Sequence, residues 1–173
     1  MNRRAAAFAF VFLALFTAGC DHAVKHAART LLTGGETHTL LSGAVRFELV
    51  HNTGGFLSLG AQLAPAFRNA FFLFAAPLGV ALLALFSFRA AARSRGGLAG
   101  LAFVCGGGLA NWLDRVLNAG AVTDFVSVGA GPLRTGIFNL ADVAIMAGVA
   151  LLLLPERKRA PAPARESERV DEP

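Results

Sequence analysis

The chain has 173 residues, of which 55% are hydrophobic and only 16% are charged, and its mean hydropathy is +0.56. This length leaves room for one domain, and the apolar fraction exceeds that of an ordinary soluble protein. The formal net charge is +5, but the basic residues form short patches between apolar runs and no stripe beside stacking aromatics. The charge distribution therefore argues against nucleic acid as a partner.

Four apolar segments follow one another along the chain, at about residues 5–24, 69–88, 96–117 and 136–154. Each is close to the ~20 residues that a helix needs to cross a ~30 Å hydrocarbon core. The third is interrupted by glycines, which let a neighbouring helix approach its backbone closely. The pattern predicts an all-α polytopic membrane protein with four transmembrane helices.

The basic residues predict how these helices are oriented, because connections rich in lysine and arginine stay in the cytoplasm. The side that holds both termini carries more of the 16 basic residues, so both termini are expected in the cytoplasm. The basic residues on that side are Arg3, Arg4, Arg89, Arg93, Arg95, Arg157, Lys158, Arg159, Arg165 and Arg169. Those on the other side are Lys25, Arg29, Arg46, Arg68, Arg115 and Arg134.

The two external connections differ in character. The longer, at about residues 25–68, contains strand-like runs at 37–41 and 45–50, which predict a small extracytoplasmic β-sheet on the membrane surface. The shorter, at about 118–135, carries Asp124 and ends in a flexible glycine-rich turn.

The chain divides into one membrane domain and a tail. Residues 1–155 contain all four apolar segments. Residues 156–173 are charged and proline-rich and lack apolar periodicity, so they are expected to be a disordered cytoplasmic tail.

Two aspartates are the main indication of function. Asp124 follows the third segment and Asp142 lies in the opening turns of the fourth, so both are expected at the same external level. Ionisable residues at the edge of a lipid-spanning helix are costly and usually functional. Two carboxyl groups that share a proton can supply the base and the acid of peptide hydrolysis without a metal. The alternative is that each caps a helix or pairs with Arg115 or Arg134.

Polar side chains flank both aspartates. Asn111, Asp114 and Arg115 are three and four residues apart at the outer end of the third segment, which predicts a shared helix face. An amide, a carboxylate and a guanidinium there can hold a peptide backbone or a lipid ester. The alternative is an interfacial anchor that includes Trp112. Asn139 precedes Asp142 by three residues and is expected on its face.

Two further motifs lie nearer the N-terminus. Asp21 and Lys25 are four residues apart, a spacing that allows an ion pair that stabilises the first helix. Asn52 and Gly54 belong to an Asn-Thr-Gly-Gly turn after the second strand-like run. The alternatives for this segment are a plain turn and a loop that reaches over the membrane-edge site.

Other chemistries find little support. His22 and His26 have metal-ligand spacing but no obvious third ligand, so no metal site is expected. Cys20 and Cys105 form no CxxC pair and are interpreted as small buried hydrophobes. The sequence contains no GxSxG nucleophile motif.

Taken together, these segments resemble lipoprotein signal peptidase, also called signal peptidase II, over nearly the whole chain apart from the tail. Three departures stand out: Phe56 comes one position early after the Asn-x-Gly motif, Ala110 stands where the family has Gly, and His22 stands where Gln is common. The motifs that carry the resemblance are Asp21-xxx-Lys25, Asn52-x-Gly54, Asn111-xx-Asp114-Arg115, Val122-x-Asp124-Phe125 and Phe138-Asn139-x-Ala141-Asp142.

The resemblance implies a four-helix membrane aspartyl endopeptidase with a small β-sheet cradle on the outer leaflet. It would cleave prolipoproteins just before a diacylglyceryl-modified cysteine, with Asp124 and Asp142 as the catalytic dyad. It implies no cofactor, susceptibility to globomycin-type inhibitors, contact with membrane lipid, and a monomer in the bacterial cytoplasmic (inner) membrane. The implied substrate-site residues are Asn52, Asn111, Arg115 and Asn139, and the implied structural supports are Asp21, Lys25, Gly54 and Asp114.

Two other functions compete with this interpretation. Thr17-Ala18-Gly19-Cys20 looks like a lipobox, so the chain itself could be a lipoprotein precursor whose mature form begins at a lipidated Cys20. A non-enzymatic four-helix membrane protein could instead use Asp124 and Asp142 to carry protons.

Overall fold

The computed structural model describes residues 2–32, 35–55 and 60–154. The tail predicted at 156–173 and the family departure at Phe56 lie outside these residues.

Helices dominate the described part of the chain. Three helical runs, Arg3–Leu31, Pro65–Ala91 and Arg95–Leu117, are long and apolar enough to cross a membrane, and a fourth apolar helix is shorter. The prediction of a mostly helical membrane-type protein is confirmed. The helices are α1 (Arg3–Leu31), α2 (Pro65–Ala70), α3 (Ala76–Ala91), α4 (Arg95–Leu117) and α5 (Leu140–Leu153), with a π-helical turn at Phe71–Ala75 between α2 and α3.

The last helix is shorter than predicted because its start is fixed by tertiary contacts. The apolar segment begins near Gly136, whereas α5 begins at Leu140 and has 14 residues. Phe138 is instead bridged to Val126 of a neighbouring strand. Asn139 then takes the cap position in extended backbone geometry. A residue committed to a sheet contact cannot adopt helical torsion angles, so the helix starts only after the cap.

Helix α4 lies at the centre and packs on α1, α3 and α5. Its glycines permit this, as the sequence predicted. A β-carbon at Gly106 would lie 2.5 Å from the carbonyl oxygen of Ala14 in α1. One at Gly107 would lie 2.6 Å from the carbonyl oxygen of Ala141 in α5. Only residues without a side chain allow such backbone approach, so α4 sets the spacing of the bundle.

The four strands are β1 (His38–Leu40), β2 (Val45–Asn52), β3 (Val122–Ala130) and β4 (Leu133–Arg134). They form antiparallel pairs in the order β1-β2-β3-β4. The strands expected near 37–41 and 45–50 are therefore confirmed.

No strand was predicted in the second external connection, but it forms strands β3 and β4, and the glycine-rich turn predicted at its end joins the two. Polar residues at Thr123, Asp124 and Ser127 hid the strand pattern, yet all three are buried. β3 pairs with β2 in a register that places Val50 opposite Asp124 and Asn52 opposite Val122. Asn52 is thus a diagonal neighbour of Asp124 across the sheet.

Candidate active site

A cavity of about 550 Å³ lies between α3, α4 and α5, and Phe10 of α1 contributes to its wall. Most of its lining is apolar, with side chains such as Val80, Leu109, Ile145 and Met146. Its polar lining residues are those that the sequence singled out: Asn52, Asn111, Arg115, Asp124, Asn139 and Asp142.

Asp124 is positioned by β3 and is almost fully buried, with 1% exposure. Its two carboxylate oxygens accept hydrogen bonds from the side-chain amides of Asn52 (2.8 Å) and Asn139 (2.6 Å). Burial, reinforced by the nearby carboxylate of Asp142, raises the pKa of Asp124 to about 6, although both amide hydrogen bonds act in the opposite direction. Asp124 therefore binds a proton in a pH range where an exposed aspartate does not.

Asp142 is held at the N-terminal end of α5. Its backbone N–H donates to the side-chain oxygen of Asn139, and its own carboxylate accepts from the backbone N–H of Asn139, which completes a capping box. The other carboxylate oxygen accepts from the amide of Asn111 at 3.0 Å. Both carboxylate oxygens of Asp142 thus have N–H donors, and the helix N-terminus favours negative charge there.

Asn139 joins the two aspartates through different atoms. Its side-chain amide nitrogen donates to Asp124, whereas its backbone nitrogen donates to Asp142. It is fully buried, so this double contact fixes both carboxyl groups at one end of the cavity. It differs from the prediction in one respect: Asn139 is the cap of α5 and lies just before the helix. Asp142 also takes part in the capping of α5, which was the alternative role considered for it.

Neither aspartate pairs with Arg115 or Arg134 in the part of the chain that the structure describes. Arg115 instead donates to the carbonyl oxygen of Gly54, and its guanidinium carbon lies 4.5 Å from the ring centre of Phe72. The contact with Phe72 is a cation–π interaction. Arg115 therefore links α4 to the turn after β2 and to the π-helical turn.

The turn after β2 is organised by Asn52. Its side-chain oxygen accepts from the backbone N–H of Gly54 at 2.9 Å, and its amide donates to the carbonyl of Gly55 at 3.0 Å. The same amide nitrogen donates to Asp124. Asn52 thus couples the shape of the turn to the position of a carboxylate. The segment is both a turn and part of the cavity lining, so the two alternatives for it hold together.

Phe72 was not found by sequence reasoning, although a signal for its environment exists. Pro77 has no N–H to donate to the carbonyl of Leu73 four residues earlier, so the helical ladder is broken there. The indole N–H of Trp112 donates to that carbonyl at 3.1 Å. The π-helical turn that results carries Phe72 into the cavity lining. The proline was visible in the sequence, but its partner on α4 was not.

Lys25 is fully buried and joins α1 to α4. Its ammonium group lies 2.7 Å from Asp21 and 3.2 Å from Asp114, and it donates to the side-chain oxygen of Asn111 at 2.9 Å. Asp21 in turn accepts from the backbone N–H of Ala141 at 2.8 Å. By holding the oxygen of Asn111, Lys25 leaves the amide nitrogen of that residue to donate to the carboxylate of Asp142.

Asp114 does not line the cavity, in contrast to the predicted common face with Asn111 and Arg115. It turns toward α1 and β3, where it accepts from the backbone N–H of Thr123 at 2.7 Å and pairs with Arg29 at 2.5 Å. Arg29 was missed by sequence reasoning as part of this network. A signal was present, since Arg29 lies one helical turn beyond Lys25.

Within residues 2–32, 35–55 and 60–154, no group of three or more His, Cys, Asp or Glu side chains could hold a metal ion. His22 and His26 gain no third ligand in this part of the chain. Cys20 and Cys105 are unpaired and partly buried, and Cys105 lines the large cavity.

Comparison with known proteins agrees with this architecture. A family model described as signal peptidase (SPase) II matches residues 13–156. A protein named lipoprotein signal peptidase from Hydrogenovibrio crunogenus is 31% identical over 157 residues, which cover 90% of both chains. One of the same name from Desulforapulum autotrophicum is 33% identical over 134 residues, or 77% of this chain and 82% of that protein.

Solved structures provide a separate comparison of the fold. A structure described as a bacterial membrane enzyme superposes with a TM-score of 0.71 at 23% identity, covering 83% of this chain and 84% of the other. A second structure of the same description superposes with a TM-score of 0.69, also at 23% identity, covering 83% and 89%. The helical bundle with its small sheet is therefore an arrangement already seen in experimental structures.

Proposed function

The chain belongs to the signal peptidase II family, and from this premise we propose that it removes signal peptides from lipid-modified prolipoproteins, with Asp124 and Asp142 as the catalytic pair. One observation carries the residue assignment. The two buried carboxyl groups are joined through Asn139 at the polar end of a largely apolar cavity.

The cavity suits a substrate that is part lipid and part peptide. Its apolar walls, in a volume of about 550 Å³, provide a site for the acyl chains of a diacylglyceryl-modified cysteine. The peptide bond before that cysteine then lies at the polar end, where the two aspartates are. Asn111, Arg115, Asn139 and the Asn52 turn surround this end and orient the substrate.

The proton of the pair is assigned to Asp124. Asp142 lies at a helix N-terminus that favours its carboxylate form, whereas Asp124, on a strand, has a pKa raised to about 6 by burial. Asp142 removes a proton from water as the oxygen attacks the peptide carbonyl, and Asp124 protonates the leaving amine. The C–N bond breaks, and water is consumed to give a carboxylic acid and a free amine.

The charge distribution along the chain and the lengths of three helices support the membrane placement, and the shorter α5 is included as a span because it is apolar. α5 is the fourth span, both termini are cytoplasmic, and the catalytic pair lies at the outer leaflet of the bacterial cytoplasmic membrane. Residues 1–155 act as one monomeric peptidase domain, with 156–173 as a cytoplasmic tail. Globomycin-type inhibitors would occupy the same cavity and compete with the substrate.

Cleavage of a diacylglyceryl-modified prolipoprotein by the purified protein tests this function. Asp124→Asn and Asp142→Asn are each expected to lower kcat by about 10²–10⁴-fold, the usual contribution of a general acid or base. Glu48→Gln, which changes a carboxylate on β2 away from the cavity lining, is the matched control and should retain full rate. A folded Asp124→Asn or Asp142→Asn protein that cleaves at the wild-type rate would exclude the assigned pair.

The lipoprotein-precursor alternative makes a different prediction. α1 continues without interruption past Cys20 to Leu31, and Asp21 anchors it to Ala141 of α5. Removal of residues 1–19 would cut this helix within the bundle. An intact-mass measurement of the membrane-extracted protein is expected to retain the N-terminal segment, whereas a mature chain beginning at a lipidated Cys20 would favour the precursor.

A further inference from the structure

A second cavity, of about 480 Å³, lies at the opposite end of α1 and α3 from the aspartates. It is lined by the first turn of α1, the last turn of α3 and the two residues beyond α3. Three of its six lining residues are arginines: Arg3, Arg89 and Arg93. The other three, Ala6, Phe88 and Ala92, are apolar. A cavity that combines several guanidinium groups with an apolar wall has the chemistry of a site for an anionic amphiphile.

No carboxylate in the described residues neutralises these arginines. The ion pairs found there use Asp21, Asp114 and Glu36. The described acidic residues that remain, Glu48, Asp124 and Asp142, belong to the sheet and the catalytic end. Three like charges around one cavity repel one another unless an anion lies between them.

One pair of aromatic side chains connects the linings of the two cavities. α1 and α3 both pack on α4, and they meet at Phe10 and Phe88, whose rings are in edge-to-face contact with centroids 5.5 Å apart. Phe10 lines the large catalytic cavity and Phe88 lines the arginine cavity. The aromatic pair thus lies between the substrate cavity on one side and the arginine cavity on the other.

From this arrangement we infer that the arginine cavity binds the phosphate of an anionic glycerophospholipid in the leaflet opposite the catalytic pair. The guanidinium groups of Arg89 and Arg93 hold the phosphate oxygens, with Arg3 closing the site from α1. The start of an acyl chain lies against Phe88. The ligand is an anionic lipid rather than a free phosphate ion, because the cavity lies at the ends of two apolar helices and has an apolar wall beside its arginines.

The test compares lipid binding by the purified protein in neutral detergent micelles, with native mass spectrometry as the readout. The probes are short-chain phosphatidylglycerol, short-chain phosphatidylcholine and inorganic phosphate. The wild type is expected to prefer phosphatidylglycerol. Arg89→Gln with Arg93→Gln is expected to weaken that binding by about 30-fold, from roughly 1 kcal/mol per basic residue near a lipid head group.

The matched control removes the same charge from the same end of the bundle. Arg4→Gln with Arg95→Gln changes two exposed arginines that do not line the cavity, and it should keep the wild-type preference to within about threefold, because screened charges at a distance contribute little. Arg93→Gln alone, beyond the end of α3, is expected to weaken binding by about fivefold. This single variant provides the test if the double variant does not fold.

Three results would overturn the inference. Equal loss of binding in the two double variants would assign the effect to net charge. Retained preference in the folded Arg89→Gln, Arg93→Gln variant would exclude the cavity. Inorganic phosphate that binds as tightly as phosphatidylglycerol would identify a free anion as the ligand. None of these results depends on peptidase activity, so they test lipid binding independently of the proposed peptidase function.

Discussion

Replacing Asn52 with alanine tests how the proton of the proposed catalytic pair is controlled. Its amide donates to the carboxylate of Asp124 at 2.8 Å in a buried site, and this hydrogen bond stabilises the ionised form. A hydrogen bond to a charged group contributes about 1.5–3 kcal/mol, and one pKa unit corresponds to about 1.36 kcal/mol. The Asn52→Ala change should therefore raise the pKa of Asp124 by about 1–2 units from its value of about 6.

The measurement is the pH dependence of kcat/KM for a lipid-modified prolipoprotein, which reports ionisations of the free enzyme. Since the proton is assigned to Asp124, the wild-type rate should fall as pH rises through about 6, and in Asn52→Ala this alkaline limb should move to higher pH. Asn69→Ala, an asparagine of α2 outside the cavity lining, is the control and should leave the limb in place. An unmoved limb in Asn52→Ala, or one displaced to lower pH, would refute the reasoning.

Three further outcomes are expected. Lys25→Met should lower the free energy of unfolding by about 3–5 kcal/mol, because it leaves the buried carboxylate of Asp21 without a cation and that of Asp114 with Arg29 alone; chemical denaturation in micelles measures this. Gly107→Ala should lower the melting temperature, since the new β-carbon would lie 2.6 Å from the carbonyl oxygen of Ala141. Gly96→Ala is the control and should leave the melting temperature unchanged, since a β-carbon there would have no atom within 4 Å. Because the pKa of Asp124 is raised to about 6, the folded state binds more protons than the unfolded state between about pH 4 and 6. Protonation of Asp124 therefore contributes fully to stability below about pH 4, and this contribution is lost as the pH rises to about 6. Asp124→Asn should flatten this part of the stability profile, and an unchanged slope would contradict the burial argument.

Local features of the sequence predicted the larger elements well. Apolar runs of membrane-spanning length predicted three long helices, although α1 continues to Leu31 rather than ending near residue 24, because helix formation in lipid depends on local hydrophobicity and internal hydrogen bonds. Two of the strands were also predicted, since β-branched and aromatic residues favour extended backbone. The start of α5 at Leu140 and strand β3 were not, because both depend on pairing between distant segments.

The sequence by itself determined which polar residues were candidates for the lining of the cavity, since a carboxylate, amide or guanidinium is conspicuous in a largely apolar chain. The direction in which each side chain points was decided only by the tertiary structure. Asn52 reaches Asp124 across 72 positions, Arg29 binds Asp114 across 85, and Asp114 turns away from the cavity that Arg115 lines. A slip of one residue in a strand reverses the face of every side chain, so strand register and helix packing, which arise from the whole fold, select the partners of each polar group.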